Sequence, residues 1–241
     1  MKRLPVGIAF LLLAYGTSAQ QKKMLSVPAI KEYNKIDTAG ISILPSGRWV
    51  RPAGHTIRIT HDPFGLAISP DGKRAVTLHD GVFSIISLTS HQVTRVPSYD
   101  GKIASPLSNG SFLGIAIGPD SRTLYLSGGD NGAVILYDMD RLQRVDSISL
   151  NGEFGGVKFE DSFTADLLYN ATADELLVLD RANYRMVRID MKSRKIKASV
   201  PTGRLPFGIS VSPDKKLALV ANVGMYAYPL IKGATPENYD S

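Results

Sequence analysis

The sequence predicts an all-β protein built from successive four-stranded antiparallel sheets, and three observations predict it. First, a ten-residue unit recurs. Phe64-Gly65-Leu66-Ala67-Ile68-Ser69-Pro70-Asp71-Gly72-Lys73 returns as Phe207-Gly208-Ile209-Ser210-Val211-Ser212-Pro213-Asp214-Lys215-Lys216, with a middle copy from Phe112 to Ser121. Second, Pro70, Pro119 and Pro213 lie 49 and 94 residues apart, and 94 is twice 47. A fourth, weaker copy is therefore expected before the last, and Ser162–Leu168 with Glu175–Leu179 fills that place. Third, each unit reads as four short strands. Repeats of that length and content mark β-propeller blades. The expected fold is a β-propeller forming an incomplete ring of about four blades.

Residues 1–19 read as a secretory signal peptide. Lys2-Arg3 supplies the positive start, Val6–Ala14 the apolar stretch and Thr17-Ser18-Ala19 the small residues for cleavage. The stretch is too short to span a bilayer, which takes about 18 or more apolar residues. Periplasmic or secreted localisation follows, with no membrane span after removal of the leader. Residues 20–38, with Lys22, Lys23, Lys31, Glu32 and Lys35, suit a flexible lead-in. Residues 39–241 are assigned to the partial propeller. Its opening is a strand–turn–strand unit: Ile41–Leu44, the turn Pro45-Ser46-Gly47, and Thr56–Thr60, taken as the outer two strands of a blade.

The whole blades follow. The first is Phe64–Ser69, Arg74–His79, Val82–Leu88 and Gln92–Val96. The second is Phe112–Gly118, Thr123–Ser127, Ala133–Asp138 and Arg144–Leu150. The third is Ser162–Leu168, Glu175–Leu179, Arg185–Asp190 and Lys195–Val200. Phe207–Ser212 and Leu217–Ala221 open a fourth. Pro70-Asp71-Gly72-Lys73 has the residues of a tight reversal, because proline presets φ and glycine tolerates positive φ. First strands such as Leu66-Ala67-Ile68 and Ile115-Ala116-Ile117 are almost continuously apolar, as strands packed on both faces near a central channel should be. Fourth strands, with Arg144 and Asp146 or Lys195 and Lys197, alternate like a wet outer edge.

The chain has 241 residues, a formal net charge of +6 and no cysteine. Without Lys2 and Arg3 the charge is +4, and the remaining basic residues alternate with Asp and Glu. No basic stripe or aromatic stacking motif accompanies them, so nucleic-acid binding is not expected. No disulfide can staple the fold, and stability has to come from buried strands.

Pro119-Asp120-Ser121-Arg122-Thr123-Leu124-Tyr125-Leu126-Ser127 and Leu219-Val220-Ala221-Asn222 resemble the YVTN-type propeller repeat. All repeats from residue 62 to 222 take part, so the resemblance covers most of the mature chain. Ser46–Gly54, His61-Asp62-Pro63-Phe64-Gly65 and Val220–Tyr226 look like the propeller portion of larger bacterial envelope proteins. Those continue into a phosphoesterase domain of the alkaline-phosphatase superfamily. That domain's metal-binding carboxylates and histidines have no counterpart here, so its activity does not carry over. Propellers close with about 4 to 8 blades, usually by pairing strands of both termini. Two outer strands at the start with three and a half blades after them predict an open ring. Its two exposed edges invite self-association.

Polar residues recur in the loops between second and third strands: His79 and Asp80, Asp130 and Asn131, Asp180 and Asn183, and Asn222. With His61, which could reach the same face, they form the candidate ligand-binding set, expected to ring the channel mouth. The competing account is that Asp and Asn build these turns by bonding local backbone. No catalytic residue is assigned. Adjacent His79 and Asp80 point to opposite faces of a strand and are badly placed to pair. His55 and His91 read as surface residues, and four histidines without a ligand spacing make no metal site. No Gly-x-Ser-x-Gly elbow or phosphate-cradling loop is present, and no cofactor is expected. Asp138 and Asp190 read as turn caps. The expected function is a binding or scaffolding module without catalysis, whose partner is an unknown ligand or protein at the propeller face. Two alternatives stand beside it: the propeller half of a bifunctional phosphoesterase, and a lactonase-like hydrolase, since sugar-lactone hydrolases also resemble this repeat class.

Overall fold

The computed structural model of the chain describes residues 26–224 except 61, 109 and 112. Every regular element among them is a β-strand, and no helix is long and apolar enough to cross a membrane. The expected signal peptide lies outside the described residues. The chain divides into two compact units, one ending at Arg58 and the other beginning at Ile59.

In the first unit, β1 (Ser42–Ile43) pairs with β2 (Trp49–Val50). The predicted partner Thr56–Thr60 is not a strand. The reason is local: Gly47 N–H donates to Leu44 O and Leu44 N–H to Arg48 O, so the chain reverses at once and Trp49 meets Ile43. The pair stands as a two-stranded sheet of its own. The segment expected as a lead-in packs on this hairpin from residue 26 on. Lys35 exchanges two backbone bonds with Ile43, and Ala29, which is buried, donates to Gly47 O.

The second unit holds three four-stranded antiparallel sheets in simple up-and-down order. Sheet one is β3 (Gly65–Ile68), β4 (Arg74–His79), β5 (Val82–Ser87) and β6 (Val93–Val96). Sheet two is β7 (Ile115–Ile117), β8 (Thr123–Ser127), β9 (Ala133–Asp138) and β10 (Gln143–Ser149). A hairpin follows, β11 (Gly152–Phe154) and β12 (Val157–Phe159). Sheet three is β13 (Thr164–Asn170), β14 (Glu175–Asp180), β15 (Arg185–Asp190) and β16 (Lys195–Pro201). A fourth, two-stranded sheet is β17 (Pro206–Val211) and β18 (Ala218–Asn222).

The first strands touch in order, β3 with β7, β7 with β13 and β13 with β17, which gives a propeller-like stack. Period-two alternation explains the packing. In β8, Leu124 and Leu126 face sheet one while Tyr125 faces sheet three. In β9, Ile135 and Tyr137 face sheet one, and Val134 and Leu136 face sheet three. In β14, Leu176 and Val178 turn back to sheet two, and Leu177 and Leu179 turn on to the fourth sheet. Phe83 meets Tyr137 edge-on with ring centres 5.0 Å apart, and Tyr125 stacks on Tyr169 at 5.7 Å. The recurring turns are stitched as well: Asp71 N–H donates to Ser121 Oγ at 3.1 Å, and Arg74 reaches Ser121 O and Asp140 at 2.6 Å each.

The recurring glycines of the first strands allow their close approach. A Cβ on Gly65 would sit 2.5 Å from Leu113 O, and one on Gly114 2.2 Å from Ala165 O, both backbone atoms preceding or within the next first strand. The equivalent Gly208 meets only Asp166 Oδ2, at 4.0 Å. One expectation fails at the start of the stack. β3 is not packed on both faces, because no sheet of the second unit precedes it, and Leu66 and Ile68 are exposed.

Gly114→Ala is expected to lower stability by about 1–3 kcal/mol through overpacking against backbone. Gly208→Ala should change it by less than about 0.5 kcal/mol. Urea unfolding midpoints of the two variants check this, and equal losses would contradict the account.

Candidate functional site

Asp80, Asp130 and Asp180 stand at intervals of 50 residues, each just after or at the end of a second strand. The structure gives all three the same task. Each carboxylate grips the segment that connects one sheet to the next. Asp80 Oδ1 accepts from Gly110 N–H at 3.0 Å, and Asp130 Oδ1 accepts from Ser108 Oγ at 2.9 Å. Neighbouring sheets thus hold one connector at points two residues apart. Ser105 Oγ donates to Gly81 O at 2.8 Å, and Ser108 Oγ is also 2.9 Å from Gly128 O. Gly110 leaves room for the Phe163 ring, since a Cβ there would lie 2.9 Å from Cζ. Arg181 then lies over Phe163, 5.9 Å from the ring centre. Asp80, Asp130 and Asn131 are exposed beside this connector.

Asp180 belongs to this pattern but not to the surface. It is fully buried and pairs with buried Arg185 at 2.8 Å. Its oxygens also accept from Ser162 Oγ at 2.8 Å, Phe163 N–H at 3.1 Å and Asn183 Nδ2 at 3.0 Å. Arg185 donates further to Leu150 O at 2.6 Å and stacks on Phe159, 3.5 Å from the ring centre. Asn183 Nδ2 lies 3.1 Å from Glu160 O. Asp180 is structural, because a buried carboxylate survives only when paired and hydrogen-bonded, and half-buried Asn183 is one of its donors. The β11–β12 hairpin, absent from the sequence reading, supplies Phe159 to this cluster. Its signal was Gly155-Gly156, whose φ values of +62° and +78° fit a two-residue hairpin turn.

The remaining candidates fall in different places. His79 is buried in β4, its Nε2 3.1 Å from Thr77 Oγ1, and Asp80 is exposed with its Oδ1 on Gly110 N–H. Asn131 Oδ1 accepts Ala133 N–H at 3.0 Å in a local turn. Asn222 Nδ2 donates to Val220 O at 3.1 Å. His61 lies outside the described residues. Asp138 and Asp190 cap turns as expected: Asp138 Oδ1 accepts from Asp140 and Arg141 N–H, and Asp190 from Ser193. The bidentate Arg122 beside Asp138 holds its carboxyl far below the usual range. Among the described residues, no group of three or more His, Asp or Glu side chains is placed to hold a metal ion.

Asp166 was missed. Among the described residues of the four first strands it is the sole charged side chain, and it sits at a bulge in β13. Its Oδ2 accepts Ile209 N–H of β17 at 3.0 Å and its Oδ1 accepts Leu167 N–H at 2.9 Å. Burial pushes its carboxyl up from the ordinary value, while the two backbone donors pull the other way. Below it, β3, β7 and β13 line an apolar groove of about 410 Å³ with Ala67, Ile68, Ile115, Ile117, Leu168 and Tyr169. The sequence signal was a lone acid in a strand whose counterparts are all apolar.

These features define an all-β, propeller-like scaffold of four-stranded antiparallel sheets with a polar loop end. Comparison with protein-family models gives no match, and comparison with curated proteins gives none. Among solved structures the chain is similar to hydrazine synthase of Kuenenia stuttgartiensis, whose fold is propeller-like. The identity is 18%, the TM-score 0.52, and the match covers 73% of this chain and 47% of that one. This chain thus spans about half the length of that relative, and at this identity the likeness concerns the fold.

Asp180→Ala is expected to cost about 3–5 kcal/mol, since it strands a buried guanidinium. Asp140→Ala, which breaks a half-exposed pair with Arg74, should cost less than about 1 kcal/mol. Chemical denaturation of both variants checks the contrast. For Asp166, a raised native pKa means that the folded state binds the proton more tightly, so its contribution falls as pH rises from the unfolded carboxyl value through the native one. Asp166→Asn should therefore gain stability relative to the parent across that window and keep a constant difference above it, as read by urea titrations at a series of pH values.

Proposed function

We propose that the chain is a periplasmic or secreted binding or scaffolding module, an open propeller of about four blades with no catalysis of its own. Its partner docks on the loop end that carries Asp80, Asp130, Asn131 and Arg181. The observation that carries this reading is the double grip on one connector: carboxylates of adjacent sheets hold it at Ser108 and at Gly110 while both remain exposed. Loops braced on a rigid scaffold are where recognition residues commonly sit. The exposed carboxylates favour a partner rich in hydroxyl, amide or cationic donors. The likeness to YVTN-type repeats supports the same reading, because such repeats specify a platform and not a reaction.

A photo-crosslinking residue at Asn131, compared with one at Lys192, tests the docking face in envelope fractions. The expected result is a discrete adduct from position 131, absent at 192 and lost when Asp80 and Asp130 are both changed to Asn. Adducts from 192 alone, or none from 131, would contradict it. Purified chain should leave a panel of lactones and phosphoesters unhydrolysed, and turnover that scales with enzyme concentration would overturn the non-catalytic reading.

A further inference from the structure

The two ends of the stack expose opposite halves of a contact that the chain already makes inside itself. Leu66 and Ile68 occupy the positions of Ile115 and Ile117 in the next repeat, 49 residues on. Ile115 and Ile117 face sheet one and are 8% and 7% exposed, whereas Leu66 and Ile68 are 65% and 60% exposed. At the other end, Leu219 occupies the position of Val76 and Tyr125, which face the following sheet and are 0% and 7% exposed. Leu219 is 67% exposed, and Leu217 and Val223, which flank β18, are 66% and 63% exposed. Gly208 tells the same story, since its counterparts Gly65 and Gly114 abut the following first strand and Gly208 does not.

The geometry points to a second copy of this chain as the occupant of both faces: the β17–β18 face of one copy packs on β3 of the other, head to tail. The contact repeats the relation of β3 to β7, of β7 to β13 and of β13 to β17. One face carries the prepared form for a following sheet, the other for a preceding one, so each fits the other and not itself. Such a contact is heterologous, and two copies satisfy both faces if the rotation closes. Two copies supply eight sheets, the upper end of the range over which propellers close. The area is sufficient as well. Five large side chains exposed to this extent hold on the order of 100 Å² each, so two contacts bury on the order of 1,000 Å², the level a specific interface needs. This inference goes beyond the loop-end partner above and uses none of its residues.

Sedimentation equilibrium of the full chain, run from about 1 to 100 μM, tests it, with Leu66→Lys and Leu219→Glu as separate variants. Both positions are exposed, so each variant should keep the parent's circular dichroism and its unfolding midpoint at low concentration. The expected result is a two-copy particle for the parent and a single-copy mass for either variant. A single-copy mass for the parent at 100 μM would overturn the inference. So would a multimer that neither substitution disturbs.

Discussion

The structure depends on one constraint: the middle strands of sheets two and three have two faces, and each face is buried against a different neighbour. In sheet two, Leu124, Leu126, Ile135 and Tyr137 serve one interface while Tyr125, Val134, Leu136 and Ile148 serve the other. This is why β8 and β9 read as unbroken apolar runs, and why the chain holds together without cysteine. Each sheet therefore draws stability from the sheets beside it, as in other repeat proteins whose energetics are sums over neighbours. A change at Ile135 is felt by sheet one and a change at Val134 by sheet three.

The same constraint orders the polar chemistry. Backbone groups at the sheet ends need partners, and the connectors between sheets are long enough to wander. Asp80, Asp130 and Asp180 tie those connectors down, the first two at the surface and the third inside. At Asp180 the burial is complete, so the carboxylate needs Arg185, and Arg185 in turn needs Leu150 O and the Phe159 ring. A turn acid has become the centre of a buried network. Asp80 and Asp130 kept their exposure and with it the capacity to meet a partner.

Much of the fold was legible in the sequence. β4, β8, β9 and β15 have the predicted bounds, because each lies between strong turn residues and carries apolar side chains on both faces. First strands were less legible. β7 is only Ile115–Ile117, and the chain shortly before it is held at Ser108 and Gly110 by Asp130 and Asp80. The β11–β12 hairpin was obscured by its short strands, although Gly155-Gly156 announced its turn. At the site, the periodicity of the acids was visible but their burial was not. Exposure depends on what the connectors cover, and Phe159, Ser162 and Asn183 come together only in three dimensions. Asp166 escaped notice because its copy of the repeat is the most degraded.

Native-state hydrogen exchange at a dilution where the chain is a single copy tests two-sided burial most directly. The account predicts the slowest amides in β8, β9, β14 and β15, flanked by sheets on both sides, with β17 and β18 exchanging orders of magnitude faster. Protection in β17–β18 equal to that of β8–β9 would contradict it.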